Sequence, residues 1–310
     1  MTLNNKTILV TGGAGFIGSH LVDQLIKEDH KVVVIDNLST GKKENLNPKA
    51  KFYKIDICDE KISQIFKKEK PEAVFHYAAQ INVRKSVENP IEDAKVNILG
   101  TLNILESCKK YGIKKFTFAS TVGVYGNTED LPVSENHPLN PISPYTVSKL
   151  AIENYLNYYK REFGFVLLRF ANVYGPRQIT TGEGGVVAIF IDNLLNQTVP
   201  TIYGDGNQTR DFVYIEDVVE ANILTLNNSK RECFYNIGTG RETTVNDLFR
   251  LISQEIKTGI APVYEFPREE DIYKSCVDYS KIKKELGWQP KYNLERGLQK
   301  TINQFRMNNY

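Results

Sequence analysis

Five short apolar runs divide the first half of the chain: Thr7 to Val10, Lys31 to Ile35, Lys51 to Ile55, Ala73 to His76 and Lys115 to Ala119. Runs of this length, rich in β-branched and aromatic residues, predict strands, and the amphipathic stretches between them predict helices. Strands that alternate with helices pair as parallel neighbours, because a parallel connection needs a long crossover and a helix supplies one. The pattern therefore predicts an α/β fold, with a doubly wound parallel sheet in the N-terminal half. After about Phe170 the rhythm loosens, and glycine- or proline-containing stretches at Gly182 to Gly185 and Gly204-Asp205-Gly206 separate shorter apolar segments. The expected division is a first domain over 1–170, to which segments at about 211–240 return, and a smaller α/β lobe formed mainly by 171–310. Near the end, Tyr279 to Trp288 predicts a short helix stopped by Gly287 and Pro290, with Trp288 in a packing role. Asp217 is expected to cap a helix over Val218 to Leu226.

Thr11-Gly12-Gly13-Ala14-Gly15-Phe16-Ile17-Gly18 follows the first strand directly and opens a helix read as Ser19 to Lys27. In this context Gly12 permits a tight turn, Gly15 lets a pyrophosphate approach the backbone, and Gly18 allows the helix to pack closely on the strand. The helix N-terminus attracts the negative charge. The spacing, Gly-x-x-Gly-x-x-Gly, differs from that of many dehydrogenases. Eighteen residues beyond Gly18, Asp36 ends the second strand, where a carboxylate can accept hydrogen bonds from ribose hydroxyls and repel a 2′-phosphate. NAD is thus expected rather than NADP, with Lys42 and Lys43 nearby and a loop-capping role for Asp36 as the structural alternative. Asp56-Ile57 and Ala78-Ala79-Gln80 fall at the carboxyl ends of strands, where ligands lie in open α/β sheets. This part of the fold is read as Rossmann-type.

Tyr145-Thr146-Val147-Ser148-Lys149 sets a phenol and an ammonium four residues apart, on one face of a helix. A nearby positive charge favours tyrosinate, so the lysine is expected to lower the tyrosine pKa and make the phenol a base near neutral pH. Ser120-Thr121 ends the intervening strand and offers a hydroxyl between substrate and tyrosine.

With these motifs in place, nearly all of the chain resembles the extended short-chain dehydrogenase/reductase superfamily, and within it the UDP-glucose 4-epimerase family. The resemblance rests on Thr11 to Gly18, Asp36 to Gly41, Ser120 to Gly126, Tyr145 to Lys149, Arg169 to Arg177, Gly204 to Asp217 and Arg268 to Asp278. It implies Thr121, Tyr145 and Lys149 as catalytic residues. On the NAD side it implies Gly12, Gly15, Phe16, Ile17, Asp36, Asn37, Ser39, Thr40, Gly41, Asp56, Ile57, Ala78, Ala79, Gln80 and Asn97, together with Tyr145 and Lys149. On the substrate side it implies Asn172, Val186, Val187, Tyr203, Arg210, Arg268, Asp271 and Ser275, with Thr121 and Tyr145. Gly184 to Val187 resembles the segment that lies against the nucleotide, Arg210 and Arg268 the grip on the diphosphate, and Asp271 a contact to the uridine ribose. The implied reaction is epimerisation at C4 of a UDP-hexose through a transient 4-keto sugar, with no net redox change. Related dehydratases and decarboxylases carry acidic residues just after the catalytic Ser/Thr, whereas this chain has Val122-Gly123, which favours the epimerase reading. A dehydratase, or an NAD-binding protein without catalysis, stands as the alternative. Ser275 occupies a position that is a bulky Tyr in some epimerases, so a roomy pocket open to N-acetylated sugars is expected. Helical patterns around Glu88 to Tyr111 and Tyr145 to Phe163 resemble the paired helices through which the family dimerises, so a homodimer is expected.

Composition narrows the partners. Thirty-nine Lys and Arg against 37 Asp and Glu leave no charge excess for nucleic acid or an anionic membrane. Cys58, Cys108, Cys233 and Cys276 lack the close paired spacing of a zinc or redox site, so no metal is expected. With no apolar stretch of membrane-spanning length and no signal region read at the N-terminus, a cytoplasmic location is expected.

Overall fold

The computed structural model describes residues 5–180, 185–268 and 271–308. The chain forms two compact units. The first comprises Met1–Val124, Pro141–Arg169 and Val219–Tyr235, and the second Tyr125–Asn140, Phe170–Val218 and Asn236–Tyr310.

The first unit is built on β1 (Thr7–Thr11), β2 (Lys31–Asp36), β3 (Lys51–Lys54), β4 (Ala73–His76), β5 (Lys115–Thr121), β6 (Gly164–Phe170) and β11 (Glu232–Ile237). They form one sheet in the order β11-β6-β5-β4-β1-β2-β3. The pairs β1–β2, β1–β4, β2–β3 and β4–β5 are parallel, with Thr7 opposite Lys31 and Thr11 opposite His76. The doubly wound α/β class predicted from the strand rhythm is the one observed. Successive residues of β1 serve opposite faces: Leu9 joins a core with Val33, Ile104 and Phe116, while Ile8 and Val10 join another with Leu21, Val22, Leu25 and Leu226. A strand covered on both faces needs apolar residues at every position, which is why these runs are continuous rather than alternating.

Helices α1 (Phe16–Lys27), α2 (Ile62–Glu69), α3 (Val83–Glu88), α4 (Pro90–Ala94), α5 (Thr101–Lys110) and α6 (Pro144–Tyr159) belong to this unit. α1 begins three residues before the expected Ser19, with extended Gly15 as its N-cap and no side chain bonded there. A π-helical stretch, Lys95–Gly100, joins α4 to α5. α6 is set by a capping box, in which Ser143 and Thr146 satisfy each other's backbone N–H groups, and by Pro144 in its first turn.

In the second unit β7 (Asn172–Tyr174) pairs in parallel with β10 (Phe212–Tyr214), β8 (Thr201–Tyr203) with β13 (Val263–Glu265), and β9 (Thr209–Arg210) antiparallel with β12 (Thr243–Thr244). Helices α7 (Val186–Leu195), α9 (Val245–Ile256) and α11 (Leu294–Asn308) pack on one another there. The short helix expected near the end is α10 (Ser280–Leu286), closed by Gly287 in the left-handed conformation. Trp288 is buried, its indole N–H donating to the Asp217 carbonyl at 2.9 Å. The expected cap at Asp217 is corrected: α8 (Ile215–Asn227) starts two residues earlier, so Asp217 lies within its first turn. Its carboxylate accepts the backbone N–H groups of Lys291 and Tyr292. None of the described helices is long and apolar enough to cross a membrane.

Candidate active site

The glycine turn is shaped by contact. Gly12 sits at φ +69°, and a Cβ there would stand 2.6 Å from the backbone nitrogen of Ala78. One on Gly18 would stand 2.2 Å from the Gly12 carbonyl oxygen. Both positions exclude a side chain, and with Gly15 bare at the cap they leave the start of α1 open to an anion. Asp36, buried at the end of β2, accepts the N–H of Ala14 at 3.0 Å and of Leu38 at 2.8 Å, one on each oxygen. The loop-anchoring contacts leave room for a ribose, since each carboxylate oxygen keeps a further lone pair. Gly41 lies against this carboxylate, and Asn37, Ser39 and Thr40 lie beside it at the strand end, Asn37 reaching Asp56 at 2.7 Å. Phe16 and Ile17 are half-buried, and Ile57 is in the core. A bare helix start with a carboxylate at the next strand end fits a dinucleotide.

A directed hydrogen-bond chain runs beneath this turn. The Thr11 hydroxyl accepts the N–H groups of Tyr77 and Ala78, leaving its proton for Nδ1 of His76 at 2.8 Å. Nε2 of His76 then donates to the Thr101 hydroxyl at 2.9 Å, which donates to the Asn97 carbonyl at 2.7 Å. His76 is buried and neutral, its pKa pushed down to about 3 by burial and then by the Lys149 charge. Asn97, on the π-helical stretch, accepts the Gln80 N–H and donates to the Gln80 carbonyl, both at 2.9 Å. Ala78, Ala79 and Gln80 are thereby held at the end of β4.

Thr121 closes β5, its hydroxyl accepting the Gly123 N–H at 3.1 Å. Tyr145 and Lys149 stand one turn apart on α6, with the ammonium 5.7 Å from the phenol ring centroid, 4.8 Å from that of Phe118, and donating to the Ala119 carbonyl at 2.9 Å. The expected lowering of the tyrosine pKa is not found. Burial raises it well above the ordinary phenol value, and the Asp93 charge adds to the effect. Lys149 itself is pushed down to about 8 by burial, against the pull of Asp93 and Glu153.

Sequence reasoning passed over the residues that hold this pair. Ser86 accepts the Tyr145 N–H at 3.1 Å. Glu153 accepts from Ser120 at 2.6 Å and forms a buried ion pair with Arg169, also at 2.6 Å, tying α6 to β5 and β6. Asp93 accepts from Gln80, Asn97 and Ser148. The Glu at a four-residue step beyond Lys149, and Arg169 at a polar break in an apolar strand, were the available signals.

In the second unit a cavity of about 840 Å³ is lined by Tyr203, Gln208, Phe266, Arg268, Asp271 and Tyr273, among others. The Arg268 guanidinium stacks 3.9 Å from the Tyr203 ring centroid. Arg210 is half-buried, its side chain donating to the Thr209 carbonyl at 2.8 Å. Burial lowers its pKa and the Asp271 charge opposes that. Asn172 opens β7 and donates its backbone N–H to the Asp211 carbonyl at 2.8 Å. Val186 and Val187 open α7, with Val187 buried in the core, and Gly184 lies outside the described residues. Ser275 is half-buried next to buried Cys276 and is not among the residues lining the cavity. Among the described residues no group of His, Cys, Asp and Glu is placed to hold a metal ion.

Comparison with known proteins gives this geometry relatives. The NAD dependent epimerase/dehydratase family matches over residues 8–238. A UDP-glucose 4-epimerase from Thermotoga maritima, solved with UDP-glucose, is 50% identical with a TM-score of 0.96, covering 98% of this chain and 100% of that one. One from Thermus thermophilus, solved with NAD, is 41% identical with a TM-score of 0.91, covering 97% and 99%. A UDP-N-acetylglucosamine 4-epimerase from Methanobrevibacter ruminantium, in complex with UDP-N-acetylmuramic acid, is 37% identical with a TM-score of 0.93, covering 99% and 100%. With a bare glycine turn, an acidic strand end and a Tyr/Lys pair on one helix, the chain belongs to the NAD dependent epimerase/dehydratase family.

Proposed function

We propose that the chain is an isomerase that inverts C4 of a UDP-hexose, interconverting UDP-glucose and UDP-galactose. The observation that carries the reading is the Thr121, Tyr145 and Lys149 set, with Val122-Gly123 rather than acidic residues just after Thr121, in a chain with UDP-glucose 4-epimerases among its relatives. Tyr145, once its phenol has lost its own proton, takes the proton of the 4′-hydroxyl as tyrosinate, and Thr121 hydrogen-bonds the same oxygen. Lys149 supplies positive charge beside the phenol and binds the nicotinamide ribose. NAD, which the turn at Gly12 to Ile17 and Asp36 would hold, would supply the hydride acceptor and donor for C4, so that no net redox change results. Arg210 and Arg268 hold the diphosphate, whose oxygens suit planar guanidinium donors, and Tyr203 and Asp271 take the uridine side. The first unit then serves NAD and the second the sugar nucleotide.

Incubating the purified protein with NAD and UDP-galactose, and separately with UDP-N-acetylgalactosamine, tests this by NMR of the products. Formation of the gluco epimer establishes the reaction; a stable keto-deoxy sugar would make the enzyme a dehydratase. The N-acetylated sugar is turned over as well, and Ser275→Tyr suppresses it selectively. No turnover of N-acetylated sugar, with Ser275→Tyr without effect, removes that part of the reading. A homodimer is supported by apolar side chains exposed on the first unit: Ile91 at 81%, Leu99 at 61%, Tyr158 at 71%, with Val147 and Tyr155 beside them on α6. Light scattering is expected to give twice the chain mass of 35.3 kDa.

A further inference from the structure

The proposed reaction leaves one buried carboxylate in the first unit without a task. Asp93, on α4, is 1% exposed, and its two oxygens face different parts of the site. Oδ1 accepts from Gln80 Nε2 at 2.8 Å and from Asn97 Nδ2 at 2.9 Å. Oδ2 accepts from the Ser148 hydroxyl at 2.7 Å. Gln80 and Asn97 are the cofactor-side residues; Ser148 lies on α6 between Tyr145 and Lys149. These hydrogen-bond donors are a hydroxyl and two side-chain amides rather than a cation, which is a costly setting for a charge. A neutral amide could hold the same elements together, so the charge needs its own account.

The charge acts on both members of the pair, favouring the proton on Tyr145 and on Lys149. Other ionisable groups nearby are engaged elsewhere. Arg84 pairs with Glu88 at the surface of α3, where Lys85 is also exposed. Glu92 pairs with Lys95, and Glu153 with Arg169. His76, beyond Asn97, is neutral.

We propose that Asp93 is a positioning residue for the catalytic pair: its carboxylate fixes α6 to the Gln80 and Asn97 side of the site and sets the field that acts on Tyr145 and Lys149. This rests on the epimerase reading only in calling the pair catalytic.

Asp93→Asn separates the two roles, because the amide oxygen can still accept from Gln80 and Asn97 while the amide nitrogen meets Ser148, whose hydroxyl can turn to accept. The readout is an NMR titration of the full chain carrying ¹³Cε-lysine, with the Lys149 signal assigned through Lys149→Arg. In the wild type this signal is expected to titrate near pH 8. In Asp93→Asn its midpoint falls by about one pH unit, and the alkaline limb of kcat moves with it. A midpoint equal to the wild type overturns the proposal. Asp93→Ala also removes the contacts, and is expected to weaken NAD binding measured by calorimetry about tenfold; wild-type affinity would overturn the clamp. If either variant fails to fold, Ser148→Ala replaces it: the charge stays, so the Lys149 midpoint holds while kcat drops. A displaced midpoint or an unchanged kcat there counts against the proposal. A wild-type protein that epimerises no UDP-sugar would sink the proposed function and leave the titration readable.

Discussion

In the first unit the side chains around Tyr145 and Lys149 are buried and hydrogen-bonded to one another, whereas the cavity of the second unit is walled by aromatic rings with wide exposure, Phe266 reaching 93%. The first arrangement suits proton transfer, because a low-dielectric, pre-bonded network holds reacting groups without reorganisation. The second suits recognition of a flat base and a diphosphate, which need surface and guanidinium donors rather than tuned acidity. Substitutions in the first unit should therefore register in kcat or in stability, and those in the cavity in KM.

The largest effect is expected from Tyr145→Phe, which keeps the ring and removes the phenol oxygen. Steady-state assays should show kcat lowered about 10⁴-fold, roughly 5 kcal/mol of transition-state stabilisation, with an unchanged melting curve. Residual activity within tenfold of the wild type would break the comparison. Next comes Glu153→Ala, which takes the carboxylate of the ion pair away from the buried Arg169 charge; denaturant unfolding should show a loss of about 3 kcal/mol. Arg268→Ala should raise KM for the UDP-sugar about 10- to 100-fold, with kcat and stability nearly intact, as fits loss of a charge-assisted contact. A fall in kcat as large as that of Tyr145→Phe would show that recognition and chemistry are not divided in this way.

The smallest effect at neutral pH concerns His76 and sharpens the contrast as pH falls. Its folded pKa, about 3, lies below the ordinary value of 6.5, so between these limits the unfolded chain binds the extra proton. Its contribution is fully present above pH 6.5 and is lost as pH falls, approaching about 1.4 kcal/mol per pH unit. Nitrogen NMR should show His76 neutral, protonated on Nε2, at about pH 5. A protonated ring at that pH would contradict the hydrogen-bond chain from Thr11 to Asn97.

What could be read from the chain divides along physical lines. Five strands of the first unit, β1 to β5, were legible as short apolar runs, whereas β6 and β11 were not read as strands; the glycine turn and the Tyr/Lys step were legible because their spacing is local. Asp93, Ser86 and His76 were not, because each gains its meaning from partners 13 to 65 residues away. The Tyr145 acidity was misjudged for the same reason: the lysine four residues on is visible in sequence, whereas burial and Asp93 are not. Asp217 looked like a helix cap until Lys291 and Tyr292 claimed its carboxylate.

Gly123 has a bearing on how such a protein can change its chemistry. A Cβ there would stand 2.8 Å from Cγ2 of Thr146, the residue that closes the capping box of α6, and 3.3 Å from the Thr121 hydroxyl. An acidic side chain at this position, as water elimination would call for, has to displace the start of the helix that carries Tyr145. A carboxylate at this site therefore needs Thr146 to give way first, which couples position 123 to the cap of α6 and makes the two positions change together rather than independently.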